Sequence, residues 1–312
     1  MHRYAAVAII ASALAGCSRT PSASIRVDPA LATLIPSDTV MLAGVRVEPL
    51  RESAVYKKYA NQIDAQLDDL AKRSGIDARK DLWELMVASN GKDGLLFARG
   101  KFSDMGLEPK LEAEGAKRSS HRGYTIIGTE ETAVAFINPT TAVVGRPAML
   151  RSMLDTKDQP KGGNVPVLLE RAQRISSANE AWFAGIGGVR TIPVPPSSNL
   201  DNLNRMIQSV QSFHGGADLN SGVKLAVEAT CSTPEDAQRI NGAVKGIIGM
   251  GRLSTGEEQK GMLRLYDAIE VSSEQNTVRV NAELTEEMLD TVMRLVERGR
   301  GSTSSPGSPH QD

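Results

Sequence analysis

Aromatic side chains make up only 4% of this 312-residue chain, which holds four histidines and two cysteines. So few aromatics argue against the stacking platforms used by carbohydrate and single-strand nucleic-acid binders. Charge of one sign is also missing: 36 basic side chains face 37 acidic ones, for a net charge of −1. Nothing in that balance draws the chain to a polyanion, so no nucleic-acid partner is expected. Metal-ligand spacing is absent as well. Zinc needs three or four close ligands, and the sequence has no His-x-x-x-His or Cys-x-x-Cys pair around His121, His214 or His310, so neither a metal nor a cofactor is expected.

The familiar glycine loops are missing too. Gly185-Ile186-Gly187-Gly188 follows a strand pattern but runs into prolines rather than a helix, which removes the helix amino terminus that a dinucleotide needs. Gly91-Lys92-Asp93 and Gly100-Lys101-Phe102 lack the Ser or Thr and the spacing of a phosphate loop. Asp218-Leu219-Asn220-Ser221-Gly222 opens like a calcium loop without an acidic residue to close it, and reads as a turn. His214-Gly215-Gly216 has no Gly-x-Ser-x-Gly elbow beside it and reads as a glycine hairpin turn.

What is present begins at the amino end. Arg3 precedes an uncharged apolar run over residues 5–14, half of the roughly 20 residues a membrane-spanning helix needs. A charged start, a short apolar stretch and small residues form the anatomy of an export signal. The small residues here are Leu14-Ala15-Gly16-Cys17. These four resemble the lipobox of bacterial lipoproteins. The resemblance covers about the first twenty residues, and implies cleavage after Gly16 and a diacylglyceryl thioether on Cys17. Each buried methylene of such chains contributes about 0.8 kcal/mol, so the anchored chain has the membrane as its partner. Ser18, rather than Asp, follows the cysteine, which by the sorting rule of enterobacterial lipoproteins implies the outer membrane, facing the periplasm. With Cys17 modified, Cys231 has no partner, and its alternating apolar surroundings make it a small buried hydrophobe rather than a nucleophile.

Between a Ser- and Thr-rich tether ending near residue 37 and a Gly-, Ser- and Pro-rich tail over 298–312, strands and helices alternate. Strands are expected at 38–47, 86–89, 95–102, 124–128, 133–137 and 141–144, and again at 181–186, 213–219, 223–231, 268–272 and 277–282. Tyr56, Ala60, Ile63, Leu67 and Leu70 predict a long helix, 81–85 and 107–115 shorter ones, and 148–154 a closing one. Leu200, Leu203, Ile207 and Val210 predict another helix. Thr233 with Pro234 and Asp236 opens a further one, and Thr285 the last. Short echoes link the halves: Leu42-Ala43-Gly44-Val45 with Phe183-Ala184-Gly185-Ile186, and 148–150 with 287–289. The expected fold is α+β, with two duplicated split βαβ (ferredoxin-like) units at 38–156 and 180–297, joined by a segment at 157–179 that includes a helix.

Candidate sites are few. Asp64, Asp68 and Asp69 lie on the polar side of the first long helix, where a solvated face is the simpler reading. Lys117, Arg118, His121 and Arg122 form a compact basic turn able to meet lipid phosphate, or simply a hydrated loop. Ile192, Pro193, Val194, Pro195 and Pro196 form a stiff, partly apolar segment suited to docking another envelope protein, or a crossover that covers the sheet. The composite expectation is a non-catalytic envelope lipoprotein that binds or assembles with another component. The alternatives are a periplasmic carrier of an apolar or lipid ligand and an enzyme of unrecognised type.

Overall fold

The computed structural model describes residues 23–74, 76–102, 115–187, 208–256 and 259–302. Among the described residues, twelve strands form one sheet: β1 (Met41–Arg46), β2 (Leu82–Ser89), β3 (Gly94–Gly100), β4 (Lys117–His121), β5 (Tyr124–Gly128), β6 (Ala133–Asn138), β7 (Thr141–Gly145), β8 (Ala181–Ile186), β9 (Val210–Asp218), β10 (Val223–Cys231), β11 (Ile269–Glu274) and β12 (Thr277–Leu284). Their order across the sheet is β11-β12-β10-β9-β8-β1-β2-β3-β7-β6-β5-β4, and all neighbours run antiparallel. The protein is therefore α+β with a large antiparallel sheet. Because β1 pairs with β8 from Met41 opposite Gly185 to Val45 opposite Ala181, both expected units share this one sheet.

Pairing inside each half departs from the split βαβ pattern. That pattern sets a strand between two others and needs parallel neighbours. Here β1, β2 and β3 are sequential antiparallel neighbours, as are β8, β9 and β10. The tight turn at Gly91, with φ +88°, favours the local hairpin between β2 and β3 over an interleaved partner.

Helices cover both faces. Leu42, Met86, Phe97, Val143 and Trp182 point to one side, where they pack with Leu31 of α1 (Pro29–Ala32), Leu150, Met153 and Leu154 of α5 (Pro147–Thr156), and Leu168 of α6 (Val165–Ala172). On the other side α2 (Val47–Glu52), α3 (Ala54–Ser74) and α4 (Ala78–Asp81) lie over the first half. There Val47, Ile76 and Ala78 meet Leu85, Ala98, Phe102 and Phe136. The second half is covered on that side by α7 (Pro234–Ser254), whose Ala237, Ile240, Val244 and Ile248 meet Phe213, Cys231, Val271 and Val278. The start of α7 follows the sequence: Thr233 Oγ1 accepts from the Asp236 N–H at 3.1 Å, with Pro234 at the first helical position. Two more helices among the described residues, α8 (Lys260–Asp267) and α9 (Glu286–Ser302), belong to the second half. Asp290 of α9 accepts from Lys58 Nζ at 2.9 Å and from the Tyr59 hydroxyl at 2.8 Å, tying the last helix to α3.

Several local expectations need correction. The segment 81–85 is mostly strand, because Glu84 and Leu85 have partners on both β1 and β3 that reward extension. Residues 117–121 form β4 rather than a basic turn; the turn is Arg122-Gly123, both at positive φ. His214-Gly215-Gly216 lies in the middle of β9, not in a turn. Its glycines admit neighbours: a side chain at Gly215 would meet the Phe183 ring at 2.6 Å, and one at Gly216 would meet the Asn179 amide at 2.6 Å. Val210 opens β9 and residues 208–209 are turn, while residues 200–207 of the helix expected over 200–210 lie outside the described residues, as does all but the end of the one at 107–115.

Candidate functional site

On the face bearing Leu42 and Phe97, three neighbouring strands end their core-facing rows on a charge. β1 runs Leu42, Gly44, Arg46; β3 runs Leu95, Phe97, Arg99; and β2 sets Glu84 two residues before Met86. The register aligns these ends, placing Arg46 opposite Glu84 and Glu84 opposite Arg99. An alternating row of Arg, Glu and Arg thus crosses the sheet. Asp28, the cap of α1, extends it through an ion pair with Arg99. Arg46 is held from the other side, donating to the Ser177 carbonyl oxygen, while its backbone N–H donates to that of Glu180 at 2.7 Å.

Arg46, Glu84 and Arg99 line a cavity of about 620 Å³ together with Ala23, Ser24, Ile25, Arg26, Glu48, Pro49, Trp83, Ser177 and Trp182. Both tryptophans of the chain are in its wall. Trp83 reaches it at a register shift between Leu82 and Glu84, where the extra residue is re-aimed out of strand alternation. Trp182 arrives from β8 directly opposite Gly44 and lies across it. A methyl at Gly44 would fall 2.6 Å from Cζ2 and closer still to Cε2 and Nε1, so the glycine is what lets the indole lie flat on the sheet. The outer wall is residues 23–26, docked by Ile25 N–H to Ile175 O at 2.8 Å and Ser177 N–H to Ala23 O at 2.6 Å.

Electrostatics in the cavity follow from burial. The Glu84 carboxyl is pushed above its usual range chiefly by desolvation, which the positive charges of Arg99 and Arg46 offset only in part and Asp28 reinforces. Trp182 is 2% exposed, and its Nε1 has no acceptor among the described residues. Such a buried donor without a partner is costly and uncommon.

The residues singled out in the sequence fall elsewhere. Gly16 and Cys17, and Ile192, Pro193, Val194, Pro195 and Pro196, lie outside the described residues. In the basic group, His121 Nε2 and Arg122 Nε meet Asp155 Oδ1 at 3.0 and 2.6 Å, docking the β4–β5 hairpin on α5 and holding the Asp155 carboxyl below its usual range. Asp64 and Asp68 meet Arg79 at 3.3 and 2.5 Å. Cys231 is fully buried, which pushes its thiol up and away from the reactive thiolate. Burial likewise lowers His214. Among the described residues, no three His, Cys, Asp or Glu side chains gather to hold a metal, and no helix is long and apolar enough to cross a membrane.

One continuous twelve-stranded antiparallel sheet with helices on both faces, and a charged, tryptophan-walled cavity at one edge of its core, defines the class to which this α+β protein belongs. Solved structures share the architecture: TP0453 in crystal form I matches with a TM-score of 0.53 at 14% identity, over 86% of this chain and 96% of that one. Crystal form III of TP0453 matches with a TM-score of 0.54 at 13% identity, over 86% and 98%. No protein-family model and no curated protein matches the chain.

Proposed function

We propose that the protein is a lipid-anchored binding protein of the bacterial envelope, held on the outer membrane through Cys17 and facing the periplasm, with the arginine and tryptophan cavity as its binding site. The observation that carries this reading is the place of the cavity in the chain. Its outer wall, starting at Ala23, follows the lipobox cysteine by six residues, which span at most about 21 Å of extended chain. A ligand in the cavity is thus held close to the anchored end. Five charged side chains in the lining weigh against the alternative of a purely apolar cargo, which would want a dry apolar pocket. Residues 192–196 remain the proposed contact for an envelope partner.

An internal duplication belongs to the same proposal. Outward from the central β1–β8 pair, the sheet runs β2, β3, β7, β6 on one side and β9, β10, β12, β11 on the other, so the halves match strand for strand once the β4–β5 hairpin is set aside as an addition to the first. In each half a helix, α5 or α9, follows the inner strand of the last hairpin.

Cells expressing the wild-type chain should incorporate labelled palmitate into it and carry it in the membrane fraction. Cys17→Ala should lose the label and leave a precursor that is uncleaved or aberrantly cleaved. Label on the Cys17→Ala protein at the wild-type level would remove the anchor from this proposal.

A further inference from the structure

Two donors of the cavity wall are left without a partner among the described residues. Arg99 pairs with Asp28, Arg46 donates to Ser177, and Glu84 lies between the fields of Arg99 and Arg46. Left over are the buried Trp182 Nε1–H and the guanidinium of Arg26, an exposed side chain on the outer wall with no ion pair among the described residues. Glu48, exposed on α2, is the one acidic side chain of the lining outside the strand row. A buried N–H without an acceptor and a free guanidinium are complemented by an acceptor-rich anion, since guanidinium takes carboxylate and phosphate through paired donors. The cavity, at about 620 Å³, falls within the size range of small-molecule sites. Trp83 supplies an aromatic face for an apolar or planar body.

We infer that this cavity binds a small amphiphilic anion, its carboxylate or phosphate group taken by Arg26 and Trp182 Nε1 and its body set against Trp83. This rests on the cavity being the binding site, as proposed above, and is independent of the lipid on Cys17. The anion could be a soluble metabolite or the headgroup of a lipid, since both present the same acceptors to the same donors.

Tryptophan emission reads the site without a label, because both tryptophans line it. The full chain in a neutral detergent is titrated with phenyl phosphate for the soluble source, and with dihexanoylphosphatidylglycerol for the lipid source. Phenyl glucoside and phenyltrimethylammonium serve as the neutral and cationic counterparts. Saturation by either anion is expected, and which one binds tighter identifies the source. Arg26→Ala should weaken binding about tenfold. Its side chain is exposed and unpaired among the described residues, so an unchanged melting curve should accompany the loss. Trp182→Phe should weaken binding too, and Glu48→Gln should strengthen it by removing a rim charge of the wrong sign. The inference is overturned if neither anion saturates, if the cation binds as well as the anions, or if Arg26→Ala binds like wild type. Because palmitate labelling and this titration read different residues, either can fail while the other stands.

Discussion

Gly44→Ala tests the packing that places Trp182 in the cavity wall. The added methyl would lie 2.6 Å from indole Cζ2 and nearer to two other ring atoms, well inside any real contact, so the ring or strand β1 must shift. The ring has nowhere to go at no cost, being 2% exposed in the main core cluster. Overpacking of this kind costs about 1–3 kcal/mol, of which replacing a strand glycine by alanine returns about 0.5–1 kcal/mol. The expected net loss is therefore up to about 2.5 kcal/mol in urea unfolding, with tryptophan emission moved to longer wavelength as the indole leaves its buried seat. Coupling gives the sharper reading: in a Trp182→Ala background, where no ring lies over position 44, the Gly44→Ala penalty should shrink by most of its size. An unchanged midpoint and emission in Gly44→Ala, or an equal penalty in both backgrounds, would refute the account of how the indole is seated.

Two further substitutions probe the frame of the site. Glu180 is 1% exposed and accepts from the Leu219 N–H at 2.7 Å and from Asn220 Nδ2 at 2.9 Å, fastening the start of β8 to the β9–β10 turn. Glu180→Ala should cost about 2–4 kcal/mol in chemical denaturation, and a loss below about 1 kcal/mol would mean that water replaces the carboxylate freely. Glu84 carries the opposite signature. Its carboxyl, raised by burial against the partial offset of Arg99 and Arg46 and with Asp28 adding to the rise, binds a proton more tightly folded than unfolded. Its contribution to stability is thus full below the unfolded carboxylate range, near pH 4, and is lost as pH climbs through the raised folded value. Glu84→Gln, neutral throughout, should gain on wild type as pH rises from 4 to 8, and a gap that is constant or widens toward acid would reverse the argument.

Much of the fold was legible because alternation is a local property. Leu95, Phe97 and their neighbours signalled β3, Thr233 with Pro234 signalled the start of α7, and the bounds of β5 through β8 fell within a residue or two of expectation. Pairing was less legible, because a split βαβ unit and a meander present the same alternating strands in the same order. Only long-range register distinguishes them, and the β1–β8 pair joins residues some 140 positions apart. The Gly44 and Gly185 echo was informative in a way that sequence did not explain. Each glycine receives an aromatic ring from the next strand, Trp182 over Gly44 and Phe213 over Gly185.

The cavity left a trace in the sequence that a search for motifs passes over. Catalytic and metal sites are sought as clusters of like chemistry at short spacing, whereas here each strand contributes one charge, and the three lie up to 53 positions apart. The trace is a breach of pattern: Arg46, Glu84 and Arg99 occupy positions whose parity, set by Leu42, Met86 and Phe97, assigns them to the core. A strand whose core-facing row ends in arginine must either leave the core there or bury a charge, and burying an unpaired charge is prohibitive. Three adjacent strands doing so at the same height implies that the core opens at that edge and that the charges face one another across it. The two tryptophans at the same edge then have a reason beyond packing, since a large indole at the lip of an opening keeps its apolar body covered and its N–H available. A cavity of this kind is therefore marked by parity breaches that line up across neighbouring strands, and not by any motif that runs along one of them.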